Sequence, residues 1–321
     1  MSVLVTGGAG YIGAHMVLEL LDAGEEAIVL DDLSTGLASA VPDGAIFVRG
    51  DAGDPALVLR LIAEHGVDAI AHFAAKIVVP DSVADPLGYY LANTVKSRNL
   101  IEAAVRGGVR RVIFSSTAAV YGNPRENPVG EGAMPDPVSP YGRSKLMTEW
   151  MLEDAGRAHG LRHVALRYFN VAGADPKGRA GQSTPRATHL VKAAVQAALG
   201  ARPHLEVFGT DYPTPDGSCL RDYIQVTDLA RAHMAALGHL RAGGKSLTLN
   251  CGYGKGFSVL EVVDMVKRVS GVDFPVRLSQ RREGDPAAIV AKADRIRAEL
   301  GWVPEHDELA SIVRQALAWE K

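Results

Sequence analysis

The chain has 321 residues, of which 47% are hydrophobic and 22% are charged, and its formal net charge is −3. This length and composition are those of a globular protein with one large or two smaller domains, whose core needs no disulfide or metal support. Because the net charge is slightly negative and no basic block occurs, the sequence excludes nucleic-acid binding that depends on a positive surface.

The cysteines and the N-terminus indicate a location. Cys219 and Cys251 form no CxxC pair and no cluster with histidine, so we expect neither a disulfide framework nor a metal site. The first apolar run is short and no basic residue precedes it, unlike a secretory signal. No window approaches the roughly 18 apolar residues of a membrane span. We therefore predict a cytoplasmic protein that has no membrane partner.

Short apolar runs alternate with amphipathic stretches in the first half of the chain. The predicted strands are Val3–Thr6, Glu26–Leu30, Ala45–Arg49, Ala69–His72, Arg111–Ser115 and His163–Arg167. The predicted helices are Tyr11–Ala23, Pro55–His65, Pro86–Arg106 and Tyr141–His159. Such alternation predicts an α/β fold with a Rossmann-type, doubly wound parallel sheet that is buried on both faces.

The pattern becomes less regular after about Asn170. We predict a loop over Ala174–Pro185, a helix over Leu190–Leu199, a Pro/Gly-rich segment over Phe208–Gly217, and a helix over Val226–Leu240 that packs back onto the first domain. The predicted division assigns residues 1–169 plus about 222–243 to the Rossmann domain. Residues 170–221 plus about 244–321 then form a smaller α/β substrate-binding region.

A glycine-rich loop follows the first predicted strand and opens the first predicted helix, with Gly7, Gly10 and Gly13. Glycine lets a ligand approach the backbone, and a helix N-terminus attracts phosphate. Asp31 ends the second strand, where a carboxylate accepts hydrogen bonds from a ribose diol. Asp32 follows it, and no adjacent Arg offers a contact for a 2′-phosphate. The set favours NAD over NADP; the alternative is a glycine turn with two solvated aspartates.

Tyr141 and Lys145 are four residues apart, which places them on one face of a helix. The pKa of a tyrosine is about 10, so a phenolate base near neutral pH needs about three units of stabilisation, or about 4 kcal/mol. A nearby ammonium and a bound nicotinamide cation both act in that direction. Thr117, just past a predicted strand, carries a hydroxyl that can reach Tyr141 or a substrate. The alternative, a helix-surface pair, is less favoured once the glycine loop is considered.

Several strings together resemble the extended short-chain dehydrogenase/reductase family and, within it, the UDP-glucose 4-epimerases. They are VTGGAGYIG, HFAA, FSSTAAVYG, SPYGRSK, LRYFNVAGA, VFGTDYPTPDGSCLRDYI and RREGD. The resemblance covers essentially the whole chain. It implies an isomerase that retains NAD and interconverts UDP-glucose and UDP-galactose through a 4-keto sugar. It also implies a homodimer that uses the helical patterns Pro86–Arg106 and Tyr141–His159.

The resemblance also implies roles for individual residues. Tyr141 would exchange a proton with the sugar 4-hydroxyl, Lys145 would hold the nicotinamide ribose and lower the pKa of Tyr141, and Thr117 would bond the reacting oxygen. The implied cofactor-binding residues are Gly7, Gly10, Tyr11, Ile12, Gly13, Asp31, Asp51, Ala52, Phe73, Ala74, Lys145 and Tyr168. The implied substrate-binding residues are Thr117, Asn170, His189, Leu190, Phe208, Arg221, Arg282 and Asp285.

Plainer roles stay open for some of these residues. Asp51 is expected near the adenine, yet a helix N-cap within Asp51–Asp54 is equally consistent with the sequence. Arg282 is expected to clamp the diphosphate with Arg221, although a solvated basic pair with Arg281 is the alternative. Asn170 and Phe208 have turn and core roles as alternatives.

Three positions depart from the family pattern. His189 stands where many members carry a substrate-binding Asn, and a histidine that caps or packs the next helix is the alternative. Ile289 stands where a large residue is associated with exclusion of N-acetyl sugars, so its intermediate size leaves UDP-N-acetylhexosamine open; a packing role is the alternative. The expected cofactor-contacting Lys appears one place early, as Lys76, with Ile77 at the aligned position.

Other activities are weighed by the same residues. A sugar-nucleotide 4,6-dehydratase needs a further acid and base after Thr117, and this chain has Ala118 and Ala119 there, which transfer no protons. Epimerisation or decarboxylation that involves UDP-pentoses stays open. A non-catalytic dinucleotide sensor would need the glycine loop but not the combination of Thr117, Tyr141 and Lys145.

Overall fold

A computed structural model describes residues 1–183, 188–282 and 285–321. Among them, seven strands form one sheet in the order β10-β6-β5-β4-β1-β2-β3, and every pair in it is parallel. The strands are β1 Ser2–Thr6, β2 Glu26–Asp31, β3 Ile46–Arg49, β4 Ala69–His72, β5 Arg111–Thr117, β6 Arg162–Tyr168, β7 Asn170–Ala172, β8 Leu205–Phe208, β9 Leu220–Gln225, β10 Leu247–Cys251, β11 Gly256–Ser258, β12 Val276–Ser279 and β13 Ala288–Ile289. The chain order reverses direction between β1 and β4, which is where α/β sheets bind ligands.

Helices lie on both faces of this sheet. The helices of the described residues are α1 Tyr11–Asp22, α2 Pro55–His65, α3 Val79–Ala84, α4 Pro86–Tyr89, α5 Lys96–Arg106, α6 Pro140–His159, α7 Leu190–Ala198, α8 Val226–Arg241, α9 Val259–Ser270, α10 Asp294–Leu300 and α11 Leu309–Glu320. Among them, α6 and α8 contact β5 and β6. One core contains α1, α8 and the helices of the second half, and the other contains α2, α5 and α6. None of the helices in the described residues combines the length and apolar character needed to span a bilayer.

The predicted α/β architecture is confirmed, with differences at the ends of elements. β5 continues two residues beyond its predicted end, so Thr117 is the last residue of a strand and does not follow it. The predicted helix Pro86–Arg106 is a continuous run whose middle, Tyr90–Val95, is a π-helical turn. The short helix α3 was not predicted, because six residues give too little periodicity.

The second half of the chain builds two small sheets beside the carboxyl edge of the large one. β9 pairs with β7, β11 and β13, and β8 pairs with β12. α8 packs against α1, as the sequence predicts. The predicted division into two regions stays a prediction; β10, which lies in its second region, pairs with β6 at the edge of the large sheet.

α6 carries Tyr141 and Lys145, and local sequence signals determine where it begins and ends. Ser139 is its N-cap and accepts a hydrogen bond from the backbone N–H of Gly142 at 3.2 Å, with Pro140 in the first turn. Gly160 ends the helix in the left-handed conformation, at φ 69°. These caps fix which turn of the helix presents Tyr141 to the sheet edge.

We predict that Ser139→Ala lowers the free energy of unfolding by about 1 kcal/mol, because the first turn of α6 loses its cap. Urea denaturation followed by circular dichroism measures this change. Ser139→Thr, which retains a capping hydroxyl, is the control. Equal stability of the Ala variant and the unsubstituted protein would show that the cap does not hold α6.

Candidate active site

The glycine loop lies between the end of β1 and the start of α1, and its backbone leaves no space for side chains. A Cβ on Gly7 would lie 2.5 Å from the backbone N of Ala74, and Gly7 has φ +74°. A Cβ on Gly13 would lie 2.2 Å from the carbonyl oxygen of Gly7. Gly10 is the N-cap of α1, and no side chain caps that turn. The loop is therefore a cradle in which a phosphate can meet backbone N–H groups.

Asp31 lies at the end of β2 beside this loop and is buried. Its Oδ2 accepts a hydrogen bond from the backbone N of Ala9 at 3.0 Å, and its Oδ1 accepts one from Leu33 at 2.9 Å. Burial raises the pKa of this carboxyl. Each carboxylate oxygen can accept a second bond, so the residue fits a ribose diol next to the glycine loop.

Asp51 follows β3 and is held by a cation that sequence reasoning missed. Its Oδ1 accepts a bond from the N of Gly53 at 2.7 Å, and its Oδ2 lies 2.7 Å from Nζ of Lys96. That ammonium also lies 3.8 Å from Asp32. The helix N-cap that the sequence allows within Asp51–Asp54 is Asp54, which caps α2, and not Asp51. The neighbouring predicted residue, Ala52, is buried.

The other predicted cofactor residues lie around the same edge of the sheet. The backbone N atoms of Phe73 and Ala74 both donate to the carbonyl oxygen of Thr6, at 2.9 and 3.1 Å. The hydroxyl of Tyr11 donates to the carbonyl oxygen of Gly173 at 2.7 Å, and Ile12 packs against the core. The ends of β1, β2 and β4 therefore bring together residues that are far apart in the sequence.

Tyr141 and Lys145 are both buried, so the helix-surface alternative is wrong. Nζ of Lys145 donates to the carbonyl oxygen of Ser115 at 2.8 Å and lies 4.9 Å from the centre of the Phe114 ring. The side chain of Thr117 interacts with the phenol of Tyr141 and lowers its pKa, and its Oγ1 accepts a hydrogen bond from the N of Ala119 at 3.1 Å.

The hydroxyl of Tyr168 bonds to Oγ of Ser115. Because Ser115 also accepts the bond from Lys145, the residues of the predicted acid–base site meet at the ends of β5 and β6.

Burial moves the two titrating groups in opposite directions. It raises the pKa of Tyr141 to about 12, although the interaction with Thr117 opposes this. It lowers the pKa of Lys145 to about 7, although the carboxylate of Glu149 opposes this. Both shifts follow from the cost of a charge in a low-dielectric site. To form a phenolate near neutral pH, the pKa of the buried Tyr141 must therefore fall by more than the three pKa units that an unperturbed tyrosine requires.

Asn93 is a site residue that the sequence did not reveal. It lies in the π-helical turn, where its Oδ1 accepts from the N of Lys76 at 2.8 Å and its Nδ2 donates to Lys76 O at 2.9 Å and to Ser144 Oγ at 3.0 Å. The bonds fix the loop after β4 against α6. The ammonium of Lys76 itself lies 3.8 Å from Asp85, and Ile77 is exposed. A polar residue within a helical pattern was the only signal available.

The predicted diphosphate and uridine residues form two contact pairs. Nη2 of Arg221 lies 3.7 Å from Oδ1 of Asp285, and the guanidinium of Arg282 stacks 3.7 Å above the ring of Phe208. Ile289 pairs with Arg221 across β9 and β13 and is buried. Arg282 therefore has a stacking partner, unlike a solvated basic pair. The Glu283–Gly284 part of the predicted motif lies outside the described residues.

His189 stands at the N-cap of α7, yet its side chain makes no capping bond. Its Nδ1 lies 2.6 Å from Nε2 of Gln182. Burial, together with the charge of Lys192, lowers the pKa of His189. Residues 184–187, part of which the predicted loop Ala174–Pro185 included, lie outside the described residues.

The two remaining predicted substrate residues lie on regular elements. Leu190 begins α7 and packs against the core, and Asn170 begins β7 opposite Tyr223. The turn alternative for Asn170 is therefore wrong, because the residue is part of a strand.

Comparisons with known proteins agree with this geometry. The model of the NAD dependent epimerase/dehydratase family matches residues 3–252. The UDP-glucose 4-epimerase of Azospirillum brasilense is 60% identical over 319 residues, which are 99% of this chain and 92% of that protein. The crystal structure of UDP-glucose 4-epimerase from Brucella ovis in complex with NAD has a TM-score of 0.96 and 44% identity, and the match covers 99% of this chain and 97% of that one.

A further solved structure bears on the range of substrates. The UDP-Glc/GlcNAc 4-epimerase of Campylobacter jejuni has a TM-score of 0.87 and 46% identity, and the match covers 99% of this chain and 98% of that one. Proteins similar to this chain thus include one named for both the plain and the N-acetylated sugar.

We predict that Gly7→Ala weakens the affinity for NAD+ more than about tenfold, because the new methyl group meets backbone and displaces the cradle. Titration of NAD+ followed by calorimetry measures this change. Gly24→Ala is the matched control, since Gly24 has the same kind of φ, +72°, and nothing within 4 Å of the added Cβ. Similar affinities for both variants would mean that the loop does not hold the cofactor.

Proposed function

The chain belongs to the NAD dependent epimerase/dehydratase family, and we propose that it interconverts UDP-glucose and UDP-galactose by inverting carbon 4 of the hexose. The observation that carries this proposal is the buried set of Thr117, Tyr141 and Lys145 at the sheet edge, next to a glycine cradle and Asp31. The full-length similarity to UDP-glucose 4-epimerases specifies the substrate class.

The cradle formed by the glycines, with Asp31 beside it, would hold NAD through its diphosphate and a ribose. Bound NAD+ supplies a hydride acceptor for carbon 4 and a positive charge on its pyridinium ring. Tyr141 removes the proton of the sugar 4-hydroxyl and later returns it to the inverted sugar. Thr117 hydrogen-bonds the same oxygen, and the protonated form of Lys145 adds a positive charge near the phenol.

The electrostatics of Tyr141 explain why the base is active only in the loaded site. Its pKa of about 12 must fall by about five units to reach neutral pH, which is about 7 kcal/mol at 1.36 kcal/mol per unit. Lys145 alone does not achieve this, because burial lowers its own pKa to about 7 and the amine carries its proton only part of the time. Tyr141 therefore stays a neutral phenol until a further positive charge is bound nearby.

Inversion requires the nucleotide to be held firmly while the keto sugar turns. Arg221 and Arg282 are suited to hold the diphosphate, since guanidinium groups bond phosphate oxygens in pairs. Phe208 and Asp285, which contact these arginines, would then lie at the uridine. Asn170, His189 and Leu190 complete the proposed substrate side.

Related reactions are disfavoured by what surrounds Thr117. Ala118 and Ala119 occupy the turn after it, so the described site offers no carboxyl pair of the kind that dehydration needs.

A substrate range that extends to N-acetylated sugars has specific support in the moderate size of Ile289 and in the Campylobacter jejuni relative. Conversion of UDP-galactose and of UDP-N-acetylgalactosamine, read by sugar chromatography, tests the activity and its range. Unchanged UDP-galactose at saturating NAD+ would instead support the dinucleotide-sensor hypothesis.

We predict that Tyr141→Phe binds NAD+ normally and loses at least about a hundredfold in kcat, because the variant has no group that exchanges the proton. Tyr90→Phe, which removes a phenol hydroxyl from the π-helical turn, is the control and should retain turnover. A rate near that of the unsubstituted protein in the Tyr141 variant would refute the assignment of the base.

We further propose that the protein is a homodimer. A row of apolar side chains on the run from α4 to α5 is exposed, formed by Leu87, Leu91 and Val95 at intervals of four residues. Trp150 on the adjoining α6 is also exposed. The two helices of one protomer and their symmetry copies would bury these side chains in a four-helix contact.

We predict that Leu91→Glu shifts the protein from a dimer to a 34.0 kDa monomer at micromolar concentration, since each copy would place a charge in the apolar contact. Sedimentation velocity measures the mass. Val303→Glu, an exposed valine outside this face, is the control and should stay dimeric. If the unsubstituted chain sediments as a monomer, the homodimer proposal is wrong.

A further inference from the structure

Glu149 is a buried carboxylate that the proposed reaction steps do not use. It lies one helical turn after Lys145 and two turns after Tyr141 on α6, and its side chain is 6% exposed. A charge so deep in a protein is unfavourable unless it is paired and hydrogen-bonded. Its partners therefore indicate what the residue does.

The carboxylate of Glu149 joins α6 to both strands that end at the reacting groups. Oε1 accepts bonds from Ser116 Oγ on β5 and from Arg167 Nε on β6, the latter at 3.0 Å, and Oε2 accepts from Arg167 Nη2 at 2.6 Å. Ser116 and Arg167 are direct neighbours in the strand register, and the next pair is Thr117 and Tyr168. One side chain thus fixes the last register pair before the active site.

Arg167 extends this connection to the turn that follows Thr117. Its Nη1 donates to the hydroxyl of Tyr121 at 3.1 Å, and that hydroxyl donates to Oδ1 of Asn250 on β10 at 2.6 Å. Tyr121 ends the turn Ala118–Tyr121. Thr117 is therefore held on both sides in the chain, by Ser116 before it and by Tyr121 after it.

The charge of Glu149 also acts on Lys145. Within the described ranges, two titratable groups interact electrostatically with this amine, Glu149 from its own helix and His72 from β4. Burial lowers the pKa of His72 to about 3, so this histidine is neutral and adds no charge beside the amine. On β5 the amine meets the Ser115 carbonyl and the Phe114 ring, which do not titrate. His163 on β6 also interacts with Glu149.

We propose that Glu149 is a positioning residue of the active site: it fixes Tyr141 and Lys145 on α6 against the ends of β5 and β6, and it supplies a negative charge that favours the protonated form of Lys145. The inference rests on the proposed function, because it assigns Glu149 to the acid–base group described above. Glu149 itself contacts neither substrate nor cofactor in this scheme; it acts through Lys145, Ser116 and Arg167.

The charge part of the proposal is tested with Glu149→Gln, which has nearly the same shape. Without the carboxylate the pKa of Lys145 should fall by about one unit, as measured by NMR titration of ¹³C-labelled lysine with the signal assigned through Lys145→Arg. The high-pH limb of the kcat profile should move to lower pH by the same amount, because Lys145 then loses its proton earlier. Glu153 is an exposed acid one turn further on α6. Its substitution Glu153→Gln is the control and should change neither the pKa of Lys145 nor the high-pH limb of the kcat profile.

Glu149→Gln leaves Arg167 buried without a counter-ion, which destabilises the fold. Glu149→Asp is then used instead, since it retains the pair with Arg167 while it withdraws the charge by one methylene group. This variant should also lower the pKa of Lys145, by a smaller amount than Glu149→Gln.

The positioning part is tested with Ser116→Ala, which removes one bond to Glu149 and no charge. We expect kcat to fall several-fold with KM and the high-pH limb unchanged. A Lys145 titration unaffected by the Glu149 substitutions, or a Ser116→Ala variant with full kcat, would overturn the proposal even when the unsubstituted protein is active. An unsubstituted protein that converts no UDP-sugar would overturn the proposed function instead, and the NMR titration would still decide the role of Glu149.

Discussion

Burial of a phenol and an amine in one low-dielectric site is the constraint on which the chemistry depends. In water the two groups have pKa values of about 10 and 10.4. Their burial at the ends of β5 and β6 moves the pKa of Tyr141 to about 12 and that of Lys145 to about 7. Each shift favours the neutral form of its group, so burial alone does not turn Tyr141 into a phenolate base. Reactivity then requires further charges that are fixed nearby.

The fold provides the means to place those charges. Parallel strands bring their carboxyl ends to one edge, so the glycine loop after β1, Asp31 at the end of β2, and Thr117 at the end of β5 are close although they are far apart in sequence. The N-terminus of α1 is open at the same edge. Under the proposed function, NAD+ held at this edge would add a positive charge near the buried phenol, so base strength would depend on cofactor binding.

The sequence predicted the parallel sheet and the acid–base pair because both depend on local signals. Apolar runs, glycine spacing and a four-residue helical interval are visible in the chain itself. Asn93, Lys96 and Glu149 were not predicted, because their roles come from contacts with partners that are remote in sequence. Asn93 binds the backbone of Lys76, and Lys96 pairs with Asp51. Only the packed structure shows these contacts.

The same reasoning explains why Asn93 and Glu149 are polar although both are buried. A reactive site on a rigid sheet must be held by groups that are themselves fixed, and hydrogen bonds in a buried site give stricter geometry than apolar contacts. The side chain of Glu149 meets this need because its two oxygens bond two different strands. A leucine of similar size would fill the space, but it would neither align Ser116 with Arg167 nor balance the charge of Lys145. Because a buried ion pair is by itself weak evidence for stability, the proposed positioning of the reacting groups gives this pair a reason to be buried.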